Sequence, residues 1–179
     1  MAGPLRWRGR RGSGQSLVEF ALVSPILFLL LVGILEAMLL LFGISTAHYA
    51  AGRAAVVVAE VGNDPSADDA ALAAIRATAI GTTSIVNVTE VDIYKVDPQT
   101  GAIATTCGGP CINRYQLDGT SIGTPDWLPL VRDVTLSSGD YIGISIQYVY
   151  DWKSGIFGGF LPPVQQTAVD QLRIEPKTY

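Results

Sequence analysis

From Phe20 to Leu35 the chain carries no formal charge, and between Glu19 and Arg53 the only one is Glu36. A helix from Leu17 to Ala47 would be about 46 Å long, more than a hydrocarbon core of roughly 30 Å requires. The pattern therefore predicts a membrane span. Few breakers follow until Gly62, Asn63, Asp64 and Pro65, so the spacing predicts one helix from about Ser16 to Val61, roughly 70 Å long. Its first half would lie in the bilayer and its second half would protrude against an exported domain. Pro25 lacks a backbone donor and crowds the carbonyl of Ala21, which predicts a bend or local loosening there.

After the break, Asp64 or Ser66 is placed to cap a helix reaching about Ile80, with Asp68 and Asp69 complementing the dipole of its first turn. Leu72, Ile75 and Ala79 give that helix an apolar face. From Ser84 the period changes to two: Val86, Val88, Val91, Ile93 and Val96 predict a strand with a slip near Glu90. The turn Asp97 to Gly101 and a short strand from about Ala102 to Thr106 would complete a hairpin. Asp140 to Asp151 alternates Ile142, Ile144 and Ile146 on one face and is the clearest strand, paired with a last one from about Gln166 to Glu175. Ile112 to Leu136, with Trp127 between Pro125 and Pro129, reads as a long surface loop or a pair of short strands. Ser154 to Pro163 sets Ile156, Phe157, Phe160 and Leu161 on a glycine-rich segment, either as an apolar contact patch or buried against the long helix. The expected fold class is α+β: a long N-terminal, partly transmembrane helix on a small antiparallel sheet.

Charge adds an orientation. Lys and Arg number 12 against 16 Asp and Glu, but Arg6, Arg8, Arg10 and Arg11 all precede Gly14 and leave the remainder strongly acidic. A basic cluster before an apolar helix follows the positive-inside rule, which places the N-terminus in the cytoplasm and the C-terminal domain outside the cytoplasmic membrane. The apolar run is too long for an ordinary signal peptide, and the sequence after it continues as a helix. Nucleic acid is not an expected partner, because the cluster is short, abuts a span and lacks interleaved stacking aromatics apart from Trp7. Three segments result: a basic leader at 1–14, a long helix at 15–62 and an exported globular domain at 63–179.

At the mouth of the span, Glu19 follows Gly14 by five residues. A carboxylate near hydrocarbon is costly and calls for a partner or a use. Cutting the chain after Gly14 would leave the new amine of Gln15 at the helix start, able to neutralise Glu19. The bland alternative is a juxtamembrane loop ending in a helix N-terminus, where an acid suits the dipole.

With these residues in view, RRGSGQSLVEFALVSPILFLLLVGILE resembles the N-terminus of TadE/TadF-like minor pilins, pseudopilins of the tight adherence (Tad) pilus. The similarity extends through Pro25, Glu36 and the AHYAAGRAA segment around Arg53, and returns weakly at Arg173 and Glu175. It implies cleavage after Gly14 by a prepilin peptidase, Gln15 as the mature N-terminus, and Glu19 as the acidic residue used in recognition and assembly. Phe20 stands where the small major pilins usually carry tyrosine, and the chain is far larger than those subunits, which points to a minor pilin. The resemblance also implies its partners: the peptidase, the major pilin and other minor pilins, an inner-membrane assembly platform and a cytoplasmic assembly ATPase, besides membrane lipid.

Other candidate chemistry is sparse. Gly43, Ala47, Ala51, Ala55 and Ala59 form a ridge of small residues that another backbone could approach closely, as in a filament, or that simply reflects alanine's helix propensity. Glu36 lies about 100° around the helix from Glu19 and cannot share its partner; a contact with a neighbouring helix or the assembly machinery is its expected use. His48, the only histidine, sits beside Tyr49 as an interfacial aromatic pair, without the companions a metal site needs. Cys107 and Cys111 enclose Gly108, Gly109 and Pro110 and are expected to form a structural disulfide in an exported domain; further soft ligands for a metal are absent. No nucleophile elbow, phosphate loop or metal cluster appears. A carboxylate pair such as Asp133 and Asp140 is the residual enzymatic option, and neither catalysis nor a cofactor is expected. The expected function is a pilus subunit, taking part in assembly or priming of a surface-adherence pilus. The alternative is an uncleaved, single-pass anchored module that binds or scaffolds outside the membrane.

Overall fold

The computed structural model describes residues 13–176, so the arginines of the basic leader lie outside the described residues. Helix α1 spans Ser13–Val61, followed by α2 at Ala67–Arg76 and α3 at Ala79–Thr82. Strands β1 (Asn87–Val96), β2 (Ile112–Tyr115), β3 (Tyr141–Tyr150) and β4 (Val164–Arg173) follow, with a one-turn helix α4 at Gly155–Gly158 between the last two. The chain divides into two compact units, Met1–Met38 and Leu39–Tyr179, and α1 runs from one into the other.

In the first unit, α1 is apolar on all sides. Leu17, Val18, Phe20, Leu22, Val23, Ile26 and Phe28 are all exposed, and no polar face balances them. A helix with every backbone bond satisfied internally and apolar side chains all round is what a bilayer core solvates. It is long and apolar enough to cross a membrane. The helix continues through Pro25.

In the second unit the same helix changes character. Ala47, Ala50, Ala51, Ala54, Ala55, Val58 and Ala59 are buried, at the i, i+3, i+4 spacing of one helical face. Small side chains let the helix axis approach closely what it covers, a four-stranded antiparallel sheet of order β2-β1-β3-β4. The covered face presents Val91 and Ile93 from β1, Ile142, Ile144 and Ile146 from β3 and Ala168 from β4, all in one apolar cluster with the helix alanines. Each fully buried isoleucine contributes about 1.5–3 kcal/mol relative to exposure. Leu72 and Ile75 of α2 close the cluster. The helix stops where Gly62 takes a positive φ of 67° and its N–H bonds back to the Val58 carbonyl at 2.8 Å, a left-handed cap that a β-carbon would strain. This long apolar helix on a small antiparallel sheet is the pilin-like α+β arrangement expected from the sequence.

β3 and β4 match the expected strands, and their full-length pairing sets Tyr141 opposite Arg173 and Tyr150 opposite Val164. The slip expected near Glu90 is a register shift between Val88 and Glu90 where β1 meets β3. Three expectations are corrected. The stretch after the Asp97–Gly101 turn makes only an isolated bridge, Val96 to Ile103; the neighbour of β1 is instead β2, whose Ile112–Tyr115 pair with Tyr94–Val91. The loop closed by Cys107 and Cys111 turns the chain back, so that Lys95 N–H reaches the Cys111 carbonyl at 2.9 Å, while the short segment before it stays at the end of β1 through Asp97 N–H to the Ala102 carbonyl at 2.8 Å and Ala104 N–H to the Lys95 carbonyl at 2.9 Å. The helix expected to reach Ile80 breaks after Arg76 and resumes as α3, with the Thr78 hydroxyl donating to the Ile75 carbonyl at 2.7 Å. Ser66 stands at the start of α2 without capping it by its side chain; its N–H and hydroxyl both donate to the Asp64 carboxylate.

Candidate functional site

Gly14 and Gln15 lie in the first turn of α1, which begins at Ser13, one residue before the proposed leader boundary. Both are exposed. One turn further on, the Gln15 side-chain amide donates to Glu19 Oε1 at 3.2 Å, an i to i+4 contact that already ties the two residues of the motif together. Every apolar neighbour of Glu19 points outward, so in a bilayer this carboxylate would sit at the edge of a hydrocarbon-facing surface beside one amide donor. Pro25 and Ser24 line an open apolar depression with Leu27, Phe28 and Leu31. Glu36, by contrast, is 3 % exposed.

The small-residue ridge is placed differently from the filament reading. Ala47, Ala51, Ala55 and Ala59 are buried in the core of their own chain, and a β-carbon on Gly43 would come within 2.8 Å of Val86 Cγ1. Close approach is indeed the use of these small residues, but the sheet of the same chain is what approaches. On another side of the helix, exposed His48 and Tyr49 join Gly52, Arg53, Val56, Asp170 and Leu172 around a shallow groove of about 380 Å³. Among the described residues no group of three or more His, Cys, Asp and Glu side chains gathers in a way that could hold a metal ion. Cys107 and Cys111 form a disulfide, with Cα atoms 5.2 Å apart.

The strongest polar constellation is one the sequence did not disclose. Asp68, read as a partner for the dipole of α2, is buried and binds Arg132 by a salt bridge and the Tyr115 hydroxyl at 2.9 Å. Asn113 donates to the same carboxylate at 2.8 Å and to the Trp127 carbonyl at 2.7 Å, while its own carbonyl accepts from Trp127 N–H at 2.9 Å. Trp127, within the stretch Ile112 to Leu136 read as a long surface loop or a pair of short strands, is therefore only 2 % exposed. Burial and the Asp68 charge push the Tyr115 hydroxyl well above the ordinary phenol range. Nothing in the spacing of residues separated by 64 positions signals this pairing; the one local hint is an arginine directly after an apolar Leu-Pro-Leu-Val turn.

A second polar group lies on the opposite sheet face. Arg114 Nε is 3.4 Å from Glu90 Oε1, and Gln147 donates to Asp92 at 3.2 Å. Burial, then the neighbouring Asp92, raises the Glu90 carboxyl above its usual range, and Arg114 partly opposes this. The Asp133 and Asp140 carboxylates are engaged in separate contacts: Asp140 is bound to Lys95 Nζ at 2.7 Å and accepts from Asp133 N–H at 3.0 Å, while the Asp133 carboxylate caps the turn at Thr135 and Ser138. Both hold loops in place.

Comparisons with curated proteins and with solved structures gave no match. Residues 14–56 match the model of the TadE-like protein family, from the glycine of the candidate processing motif into the buried half of α1. The resemblance read from the N-terminal segment thus holds over residues 14–56, the greater part of α1.

Proposed function

We propose that this chain is a minor pilin: inserted in the cytoplasmic membrane by α1, cleaved after Gly14 by a prepilin peptidase, and used to assemble or prime a Tad-type pilus. The observation that carries the reading is a TadE-like helix, uncharged from Phe20 to Leu35 with most of its large apolar side chains exposed there, that joins the Gly14–Glu19 motif to a domain built on its own second half. Cleavage would place the Gln15 amine one helical turn from Glu19, where the side chain of Gln15 already reaches. Two opposite charges held together are less costly beside hydrocarbon than either alone. The major pilin, other minor pilins, the assembly platform and the ATPase are its proposed partners.

One observation favours the alternative of an uncleaved anchored module. The Gly14–Gln15 bond lies within the first turn of a helix, and a peptidase needs that turn unwound. Gly14 makes unwinding easy, since glycine destabilises a helix by roughly 0.5–1 kcal/mol relative to alanine. Intact mass and N-terminal sequencing of the protein from its native membrane decide between the two. A chain starting at Gln15 is the expected result, with Glu19→Ala assembling poorly. A chain that retains Arg6 to Arg11 in cells with active peptidase would overturn the pilin reading in favour of the anchored module.

A further inference from the structure

The segment between β3 and β4 is folded, yet it turns its apolar side chains outward. Trp152 is its centre: the indole N–H donates to the Pro162 carbonyl at 2.8 Å, its ring meets Tyr150 edge-on at 5.7 Å, and Phe157 lies 6.0 Å away. Ser154 caps α4, and Leu161 N–H returns to the Phe157 carbonyl at 2.8 Å. The result is a fixed knuckle on which Phe160 is 87 % exposed, with Ile156 and Leu161 exposed beside it. A loop free to collapse would bury that ring; this one holds it out.

Its place in the unit formed by residues 39–179 indicates what it meets. Gly43, near the start of the helix in this unit, lies against Val86 and Tyr150, and the knuckle leaves β3 directly after Tyr150. Leu41 and Phe42, directly before Gly43 on the helix, are also exposed. Charge changes here too. Although the chain beyond the leader is acidic, residues 152–163 contain no Asp or Glu and one cation, Lys153, whose Nζ is held at the Ser84 carbonyl at 2.8 Å. An indole, a lysine and projecting apolar side chains at the level where a helix leaves hydrocarbon are the chemistry of a bilayer interface.

We propose that residues 152–162 form a second membrane contact, in which Phe160, Leu161 and Ile156 dip into the outer leaflet and Trp152 and Lys153 sit at headgroup level. This rests on the reading of α1 as a membrane anchor. It would fix the exported unit against the lipid surface before assembly instead of leaving it tethered by one helix.

The test uses the full chain in vesicles of phosphatidylethanolamine and phosphatidylglycerol, with nitroxide labels on single cysteines introduced as Phe160→Cys, Leu161→Cys, Leu30→Cys and Gln99→Cys. The native disulfide leaves each introduced thiol as the reactive one. The expected result is a label at 160, and again at 161, whose collisions with oxygen over a water-soluble nickel chelate place it about 5–10 Å into the headgroup and acyl boundary. Position 30 should lie deep in hydrocarbon and position 99 in water. Labels at 160 and 161 that match position 99, while 30 stays in hydrocarbon, would overturn the membrane contact and leave the anchor standing. A label at 30 in water would remove the anchor and the contact with it. Dipolar broadening at 160 that disappears on dilution with unlabelled protein would assign the knuckle to a second copy of the chain and overturn the lipid contact.

Discussion

Arg132 and Asp68, 64 residues apart, meet as a buried ion pair, and the guanidinium lies 4.5 Å from the centroid of the Trp127 ring. The arginine is 3 % exposed. A charge this deep is tolerable only when paired, and removing one partner leaves the other uncompensated. Arg132→Ala should therefore lower stability by about 3–5 kcal/mol. Combined with Asp68→Ala, the loss should fall short of the sum of the single losses by about 0.5–3 kcal/mol, as expected for residues in direct contact. Urea denaturation of the full chain in detergent, followed by tryptophan fluorescence, gives both values. Additive losses would mean the pair is not coupled.

Gly143, in the middle of β3, lies under the ring of Tyr94: a β-carbon there would clash with Tyr94 Cζ. The Tyr94 hydroxyl is in turn held by Gln171 at 3.2 Å, so the ring cannot swing aside freely. Gly143→Ala is expected to destabilise by about 1–3 kcal/mol, the range for overpacking. In a Tyr94→Ala background the same substitution should be close to neutral. Thermal melts of the four variants distinguish this clash from a general intolerance of the strand.

Ala51 is fully buried and Tyr49 is 63 % exposed on the same helix. Enlarging the first should force α1 away from the sheet, so Ala51→Leu is expected to cost about 1–3 kcal/mol. Tyr49→Ala should change stability by less than about 0.5 kcal/mol. If Ala51→Leu left the isolated chain as stable as the wild type and only blocked assembly, the small-residue stripe would be serving contacts between subunits instead.

The disulfide between Cys107 and Cys111 closes a very short loop, which limits how much it restrains the unfolded chain. Its reduction is expected to lower stability by about 2 kcal/mol on the chain-entropy account. The strands should survive, because Cys111 also bonds through its backbone to Lys95 and Ala104 at 2.9 and 2.8 Å. Circular dichroism before and after reduction would show an unchanged sheet signal with an earlier melt. Loss of the sheet would mean that the covalent link is what holds β2 to β1.

Glu90 provides a pH signature. Burial and Asp92 raise its carboxyl in the folded state, so the folded chain holds this proton more tightly than the unfolded one. The associated stability is fully present below the ordinary carboxylate range and is lost as pH rises through the raised value. Glu90→Gln should flatten the pH dependence of stability across that window, and a side-chain carbon NMR titration should show Glu90 with a midpoint above that of exposed glutamates. A midpoint at or below theirs would mean that Arg114 outweighs burial and Asp92.

The parts of this protein that sequence alone determined are those written by local periodicity and composition. An uncharged run from Phe20 to Leu35 lies within a helix long and apolar enough to cross a membrane, a property of length and composition alone. Alternation at Ile142, Ile144 and Ile146 fixes which face of β3 carries the isoleucines into the cluster with α1, because side chains in a strand alternate strictly. The Gly14–Glu19 motif is equally local, and the family match begins on it. Tertiary structure decided what depends on meetings between distant segments. The alanine ridge has the same sequence whether it faces a neighbouring subunit or its own sheet, and only the folded chain shows that it covers the sheet. β2 pairs with Val91–Tyr94 beyond the short bridge at Ile103, where the Cys107–Cys111 loop delivers Ile112 to the edge of β1. The turn formers of Ile112 to Leu136 say that this stretch is irregular but not that Trp127 and Arg132 within it are buried. Asn113 satisfies the Trp127 backbone N–H and carbonyl, and Asp68 pairs with one guanidinium nitrogen of Arg132, which is how this stretch is buried.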